Sequence, residues 1–80
     1  DIESIKWNGR QKTLTGRQQA VAGFDYHLAF FIPDDFAFKS AKLSSGTARK
    51  TITNDGKILN LYFTPKKSGV VVWDIRFGEQ

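Results

Sequence analysis

From Lys57 to Phe77 the chain reads K-I-L-N-L-Y-F-T-P-K-K-S-G-V-V-V-W-D-I-R-F. Successive side chains of a strand point to opposite faces. Leu59, Leu61 and Phe63 therefore form one apolar ridge, and Val71, Trp73, Ile75 and Phe77 a second. Between them, Pro65 fixes φ and cannot donate to a ladder, and Gly69 can take a positive φ. The segment predicts two strands closed into a hairpin by a tight turn over Thr64–Gly69. Such a hairpin buries large side chains on one side only, so the rest of the chain must supply the other half of a core.

That half has to come from little material. The 80 residues are expected to form one domain, 1–80. A domain of this size buries roughly 60% of the surface its unfolded chain exposes. No cysteine is present, so no disulfide assists, and an aromatic content of 14% suits a core that must work alone. The chain has no methionine, and a processed chain or a piece of a longer protein is expected. No run is long or apolar enough to span a membrane, and no signal peptide is visible. The absence of cysteine fits cytoplasm, periplasm and exterior alike.

Taken in order, Asp1–Trp7 predicts a first strand with Ile5 and Trp7 on one face. Asn8-Gly9 predicts a type I′ hairpin turn, with Arg10–Leu14 returning as a polar edge strand or a loose arm. Gln19–Gly23 reads as a weak strand or one helical turn, and the strand is favoured because the pattern is too short and too poorly capped for a helix. Phe24–Ile32 predicts a strong one, with Tyr26, Leu28, Phe30 and Ile32 on one face and His27, Ala29 and Phe31 on the other. Pro33-Asp34-Asp35 stops it. From Phe36 to Ser44 the apolar phase shifts, which predicts a bulge or bend near Lys39-Ser40. Thr47–Thr53 is β-branched and polar and predicts an edge strand, with Arg49 and Lys50 discouraging edge pairing. Asn54-Asp55-Gly56 is the next turn. No segment has helical periodicity. The pattern predicts an all-β sandwich or small barrel of about seven short antiparallel strands.

The formal charge of +4 is mild, acidic residues are interspersed, and no basic run is longer than Arg49-Lys50 or Lys66-Lys67. This reads as a solvated surface with a small positive excess; the functional alternative is an anionic partner, nucleic acid or polysaccharide. No catalytic, metal or cofactor site is expected. His27 is the only histidine and sits mid-strand. Asp34-Asp35 is explained by turn chemistry as well as by a calcium ion. There is no Gly-x-Ser-x-Gly elbow and no phosphate-cradling glycine loop. Asp25, Asp74 and Glu79 could supply a glycosidase pair, but a small sandwich has little room for a cleft, and Asp74 reads as an outward partner of Arg76.

The inner faces are expected to carry Trp7, Tyr26, Leu28, Phe30, Leu59, Leu61, Phe63, Val71, Trp73 and Ile75, and contact residues are sought among the aromatics beside turns and on outer faces. Trp7, beside the first turn, is a sugar-stacking platform or a core or lid residue. Phe31 is a contact residue or lies under a loop. Tyr62 points away from its ridge with Ile58 and Asn60, and Val70 and Val72 are expected to flank it across the hairpin. An outer face this apolar reads as a contact with a neighbouring domain, or as a ligand or partner patch.

The stretches Asn8-Gly9, Val21–Leu28 (V-A-G-x-x-Y-x-L), Ile32–Phe36 (I-P-D-x-F) and Tyr62–Phe77 resemble bacterial immunoglobulin-like modules, and the last also resembles the end of filamin-type repeats. The resemblance covers most of the chain, but rests on turn-and-strand patterns. The proline-rich tail of filamin repeats and the cysteine pair of antibody domains are missing. The resemblance implies an immunoglobulin-like β-sandwich. It also implies a non-catalytic accessory module of a larger secreted, periplasmic or cell-surface bacterial protein, one acting on polysaccharide. Its expected partner is a neighbouring domain of the parent chain. The alternatives are a carbohydrate-binding module using Trp7, Phe31 or Tyr62, and a basic small barrel that binds nucleic acid.

Overall fold

The computed structural model describes residues 2–53 and 56–79. It is an all-β fold of seven antiparallel strands in two sheets: β1 (Ile2–Asn8), β2 (Thr13–Ala20), β3 (Tyr26–Phe31), β4 (Phe36–Leu43), β5 (Thr47–Thr53), β6 (Ile58–Thr64) and β7 (Gly69–Glu79). The four-stranded sheet has the order β1-β2-β7-β4, and the three-stranded sheet β3-β6-β5. The predicted all-β class and strand number hold.

The two C-terminal ridges do not form a hairpin. β6 lies in one sheet and β7 in the other, so Pro65–Ser68 arches across the sandwich. Alternation fixes which face of a strand is apolar; it does not say which sheet the strand joins. Placed in opposite layers, the ridges cover one another. Leu59, Leu61, Trp73 and Ile75 are fully buried, and each such side chain contributes roughly 1.5–3 kcal/mol. The Tyr26 segment runs beside the Leu61 ridge, with Leu28 opposite Leu61 and Phe30 opposite Leu59 in one sheet. β7 is what faces both of them.

The constant-type immunoglobulin sandwich orders its strands first-second-fifth-fourth and third-sixth-seventh. Here β7 occupies the fifth strand's place and β5 the seventh's. The residues explain the exchange. β7 carries the most apolar ridge of the chain and sits between β2 and β4, where its inward residues are sealed. β5 (T-A-R-K-T-I-T) is exposed throughout and is suited only to an edge. Lys50 there projects inward, its ammonium 5.6 Å from the Phe38 ring centre, and an inward charge on an edge strand deters further pairing. The edge position predicted for Thr47–Thr53 is observed.

The N-terminal third differs from its reading in two places. The Asn8-Gly9 turn is a four-residue loop, with Asn8 paired to Thr13. Asn8 Oδ1 accepts from the amides of Arg10 and Gln11 at 3.1 and 3.0 Å, and the left-handed residue is Lys12, φ 53°. An Asx-type turn thus replaces the type I′ geometry. Second, the return is no edge strand: β2 is one continuous strand between β1 and β7. Trp7 faces inward by register, opposite Leu14, as expected of an inner-face residue, and is 46% exposed at the rim. The bulge predicted near Lys39-Ser40 is present, as a register shift between Phe38 and Ser40. Of the turn at Asn54-Asp55-Gly56, Gly56 has φ +83°, and the other two positions lie outside the described residues.

Candidate functional site

Where β1, β3 and β7 end and β2 and β4 begin, the sandwich is open. Trp7 is the penultimate residue of β1, Phe30 and Phe31 close β3, Phe36 opens β4 and Phe77 lies near the end of β7. The Trp7 ring centre is 5.7 Å from that of Phe36 and 6.0 Å from that of Phe77. With Leu14 and Pro33 these rings line a cleft of about 380 Å³. The strand periods put the rings there. Trp7, Leu14, Phe36 and Phe77 are inward positions of the four-stranded sheet, and Phe30 is an inward position of the other. Phe31 points outward and is 67% exposed, and Pro33 turns the chain back over the rim.

The chemistry of this cleft is hydrocarbon. Only the Trp7 indole N–H offers a side-chain hydrogen bond. Such a lining takes the apolar side chains of a polypeptide, and its exposed rings also suit stacking on the apolar face of a sugar whose hydroxyls remain in water.

Trp7 and Phe31, separate in the chain, thus meet at one cleft. Tyr62 and Val72 do not join them, and they do not flank each other. Tyr62 lies on the outer face of the three-stranded sheet, between His27 and Arg49 in register. Val72 lies on the outer face of the other sheet, opposite Arg17. The expectation that Val70 and Val72 sit beside Tyr62 depended on the hairpin and falls with it. The other cleft residues, Leu14, Phe30, Pro33, Phe36 and Phe77, went unnoticed as a group. Their shared position near strand ends was the available signal.

Around Tyr62 the environment is polar. His27 stacks on it with ring centres 4.4 Å apart and planes 10° from parallel, and the Arg49 guanidinium sits 5.6 Å from the ring centre. His27 Nε2 is 2.9 Å from Asn60 Oδ1, and Asn60 donates to Thr53 Oγ1 at 3.2 Å. Asp25, Arg49 and Tyr62 line a shallow depression of about 270 Å³.

The carboxylates weighed as a glycosidase pair are dispersed. Asp25 accepts from Thr64 Oγ1, Asp74 from Thr15 Oγ1, both at 2.6 Å, and Glu79 pairs with Lys12 at 3.1 Å. Asp34 lies 3.6 Å from Lys57 Nζ. Among the described residues no group of three or more His, Cys, Asp or Glu side chains is placed to hold a metal ion, and no helix is long and apolar enough to cross a membrane. Comparison with known protein families, with curated proteins and with solved structures finds no match to the chain.

Proposed function

We propose that this β-sandwich is a non-catalytic accessory module of a larger secreted or cell-surface bacterial protein that acts on polysaccharide, and that it docks a neighbouring domain of that protein at its aromatic end. The observation that carries this reading is the cleft between Trp7 and Phe31. It leaves two large aromatic side chains in water, and its hydrocarbon walls fit a polypeptide side chain. The resemblance to immunoglobulin-like modules supports the accessory role; the exchanged places of β5 and β7 argue for a sandwich of similar architecture and separate connectivity. Incubating the isolated chain with a panel of polysaccharides tests the non-catalytic part. No new reducing ends or unsaturated products are expected, and turnover of any polymer contradicts it.

A second reading has its own observation. The Tyr62–His27 stack, with Arg49 and Asn60 beside it, combines an aromatic platform with hydrogen-bonding groups, the mixture a glycan-binding face requires. Affinity electrophoresis against neutral glycans separates the two readings. Retardation that Tyr62→Ala removes favours glycan binding, and no retardation favours the docking module. The nucleic-acid reading predicts oligonucleotide binding that weakens steeply with salt.

A further inference from the structure

The charge of this chain is not spread evenly over its surface. Strand alternation and register place Lys6, Arg17, Lys42 and Arg76 on the outer face of the four-stranded sheet. Lys39 joins them, its methylenes lying over the outer side of Gly78. All five side chains are exposed. The acids on this face are Asp74, which accepts from Thr15 Oγ1 at 2.6 Å, and Glu3, which accepts from Gln19 Nε2 at 2.9 Å. Among the described residues the ion pairs are Lys12–Glu79 and Lys57–Asp34, so none of these cations is neutralised by one. The opposite face differs: at the outward positions of β3, β6 and β5 the cation is Arg49 alone.

Between the cations lie the hydroxyls of Thr13, Thr15 and Ser40 and one carboxylate, that of Asp74, the register partner of Lys42. Thr13, Thr15, Ser40, Lys42, Asp74 and Arg76 line a shallow trough of about 420 Å³, with Asn8 and Gln11 at one end. Neighbouring strands are about 4.8 Å apart, so the row Lys6–Thr15–Asp74–Lys42 sets two ammonium groups at β-carbon positions roughly 14 Å apart across the sheet. No aromatic side chain stands on this face; Trp7, Phe36, Phe38, Trp73 and Phe77 all point inward by register. Single-stranded nucleic acid is held by stacking its bases on exposed aromatics, and this face has none to offer. Five cations against two carboxylates leave the face net positive, and cations spaced among hydroxyls match a polymer whose anionic groups are spaced among hydroxyls.

We infer that the outer face of the β1-β2-β7-β4 sheet is a docking surface for an acidic polysaccharide, one bearing carboxylate or sulfate groups, with Lys42 and Arg76 at its centre. The inference deepens the accessory-module reading and rests on it for the polysaccharide setting. It does not involve the aromatic cleft.

Affinity electrophoresis of the 80-residue chain in gels containing alginate, dextran sulfate or uncharged dextran tests it, with a single-stranded oligonucleotide as competitor. Retardation is expected by an acidic polymer and not by dextran, falling as salt is raised. The K42E/R76E variant is expected to bind roughly tenfold more weakly or worse, whereas K66E/K67E, the same charge change on the β6–β7 arch, stays within about twofold. If K42E/R76E fails to fold, K42Q and R76Q, each removing one exposed charge, are expected to give smaller losses of the same sign. Equal loss in the arch variant, no retardation by any acidic polymer, or tighter binding to the oligonucleotide overturns the inference. Turnover of a polymer in the same samples overturns the accessory reading instead; absence of both retardation and turnover leaves that reading standing and removes only this inference.

Discussion

Gly16 and Trp73 are direct cross-strand partners, and the six-membered ring of the Trp73 indole occupies the space a Gly16 side chain would fill. The largest residue of the core is fully buried because its neighbour has no Cβ. Gly16 also lets β2 run unbroken from Thr13 to Ala20 beneath it. Gly16→Ala is therefore expected to destabilise the domain by about 1–3 kcal/mol through overpacking. Urea unfolding followed by tryptophan fluorescence measures this, and an unchanged midpoint would show that the indole can move aside.

The same indole donates to Gln18 Oε1 at 3.1 Å, and both residues are buried. Gln18→Leu leaves the N–H without an acceptor and is expected to cost about 1–3 kcal/mol. Once Trp73→Phe has removed the donor, the same change should cost much less. A double-mutant cycle in urea reads the difference as a coupling energy; a coupling near zero would mean that the bond contributes nothing.

These two relationships mark the boundary of what the sequence discloses. Period-two alternation located the buried residues Leu59, Leu61, Phe63, Val71, Trp73 and Ile75, the bulge before Ser40 and the polar edge at Thr47–Thr53. Each of these is a property of one strand. Which strands pair is a property of two, and there the reading erred. It closed β6 onto β7 when their apolar ridges are each other's cover from opposite sheets. It gives Arg10–Leu14 and Gln19–Gly23 to separate segments where β2 runs unbroken from Thr13 to Ala20, and the reason for a glycine at position 16 sits on Trp73, far along the chain. The candidate site was half legible for the same cause. Trp7 and Phe31 were picked out as single aromatics, but their meeting with Phe36 and Phe77 required the sheet order. Tyr62 and Val72 were joined by a hairpin that does not exist.

Tyr26 anchors the loop ahead of its own strand. Its hydroxyl accepts from the Val21 amide at 2.8 Å, and its ring stacks on Phe63 with centres 5.3 Å apart. Tyr26→Phe keeps the stack and loses the acceptor, so a cost of about 1 kcal/mol is expected. Amide exchange at Val21 should rise more than exchange at the Leu61 amide. If both change together, the hydroxyl acts on the whole fold and not on the loop.

Phe31 contributes little to the core, being 67% exposed. Phe31→Ser is expected to shift stability by no more than about 0.5 kcal/mol. Phe77, buried at 7%, should cost about 3–5 kcal/mol when changed to alanine. Thermal or urea unfolding of both variants checks the contrast. A large loss from Phe31→Ser would make the exposed ring part of the fold, and the cleft would lose its claim as a docking surface.

The account stands or falls on whether the aromatic end is covered when the module is in its place. Hydroxyl-radical footprinting of the isolated chain and of the larger protein carrying it reads this directly from the labelling of individual side chains. The account predicts that Trp7 and Phe31 are labelled strongly in the isolated chain and protected in the larger protein, while the buried Trp73 is protected in both. Equal labelling of Trp7 and Phe31 in the two settings would contradict it.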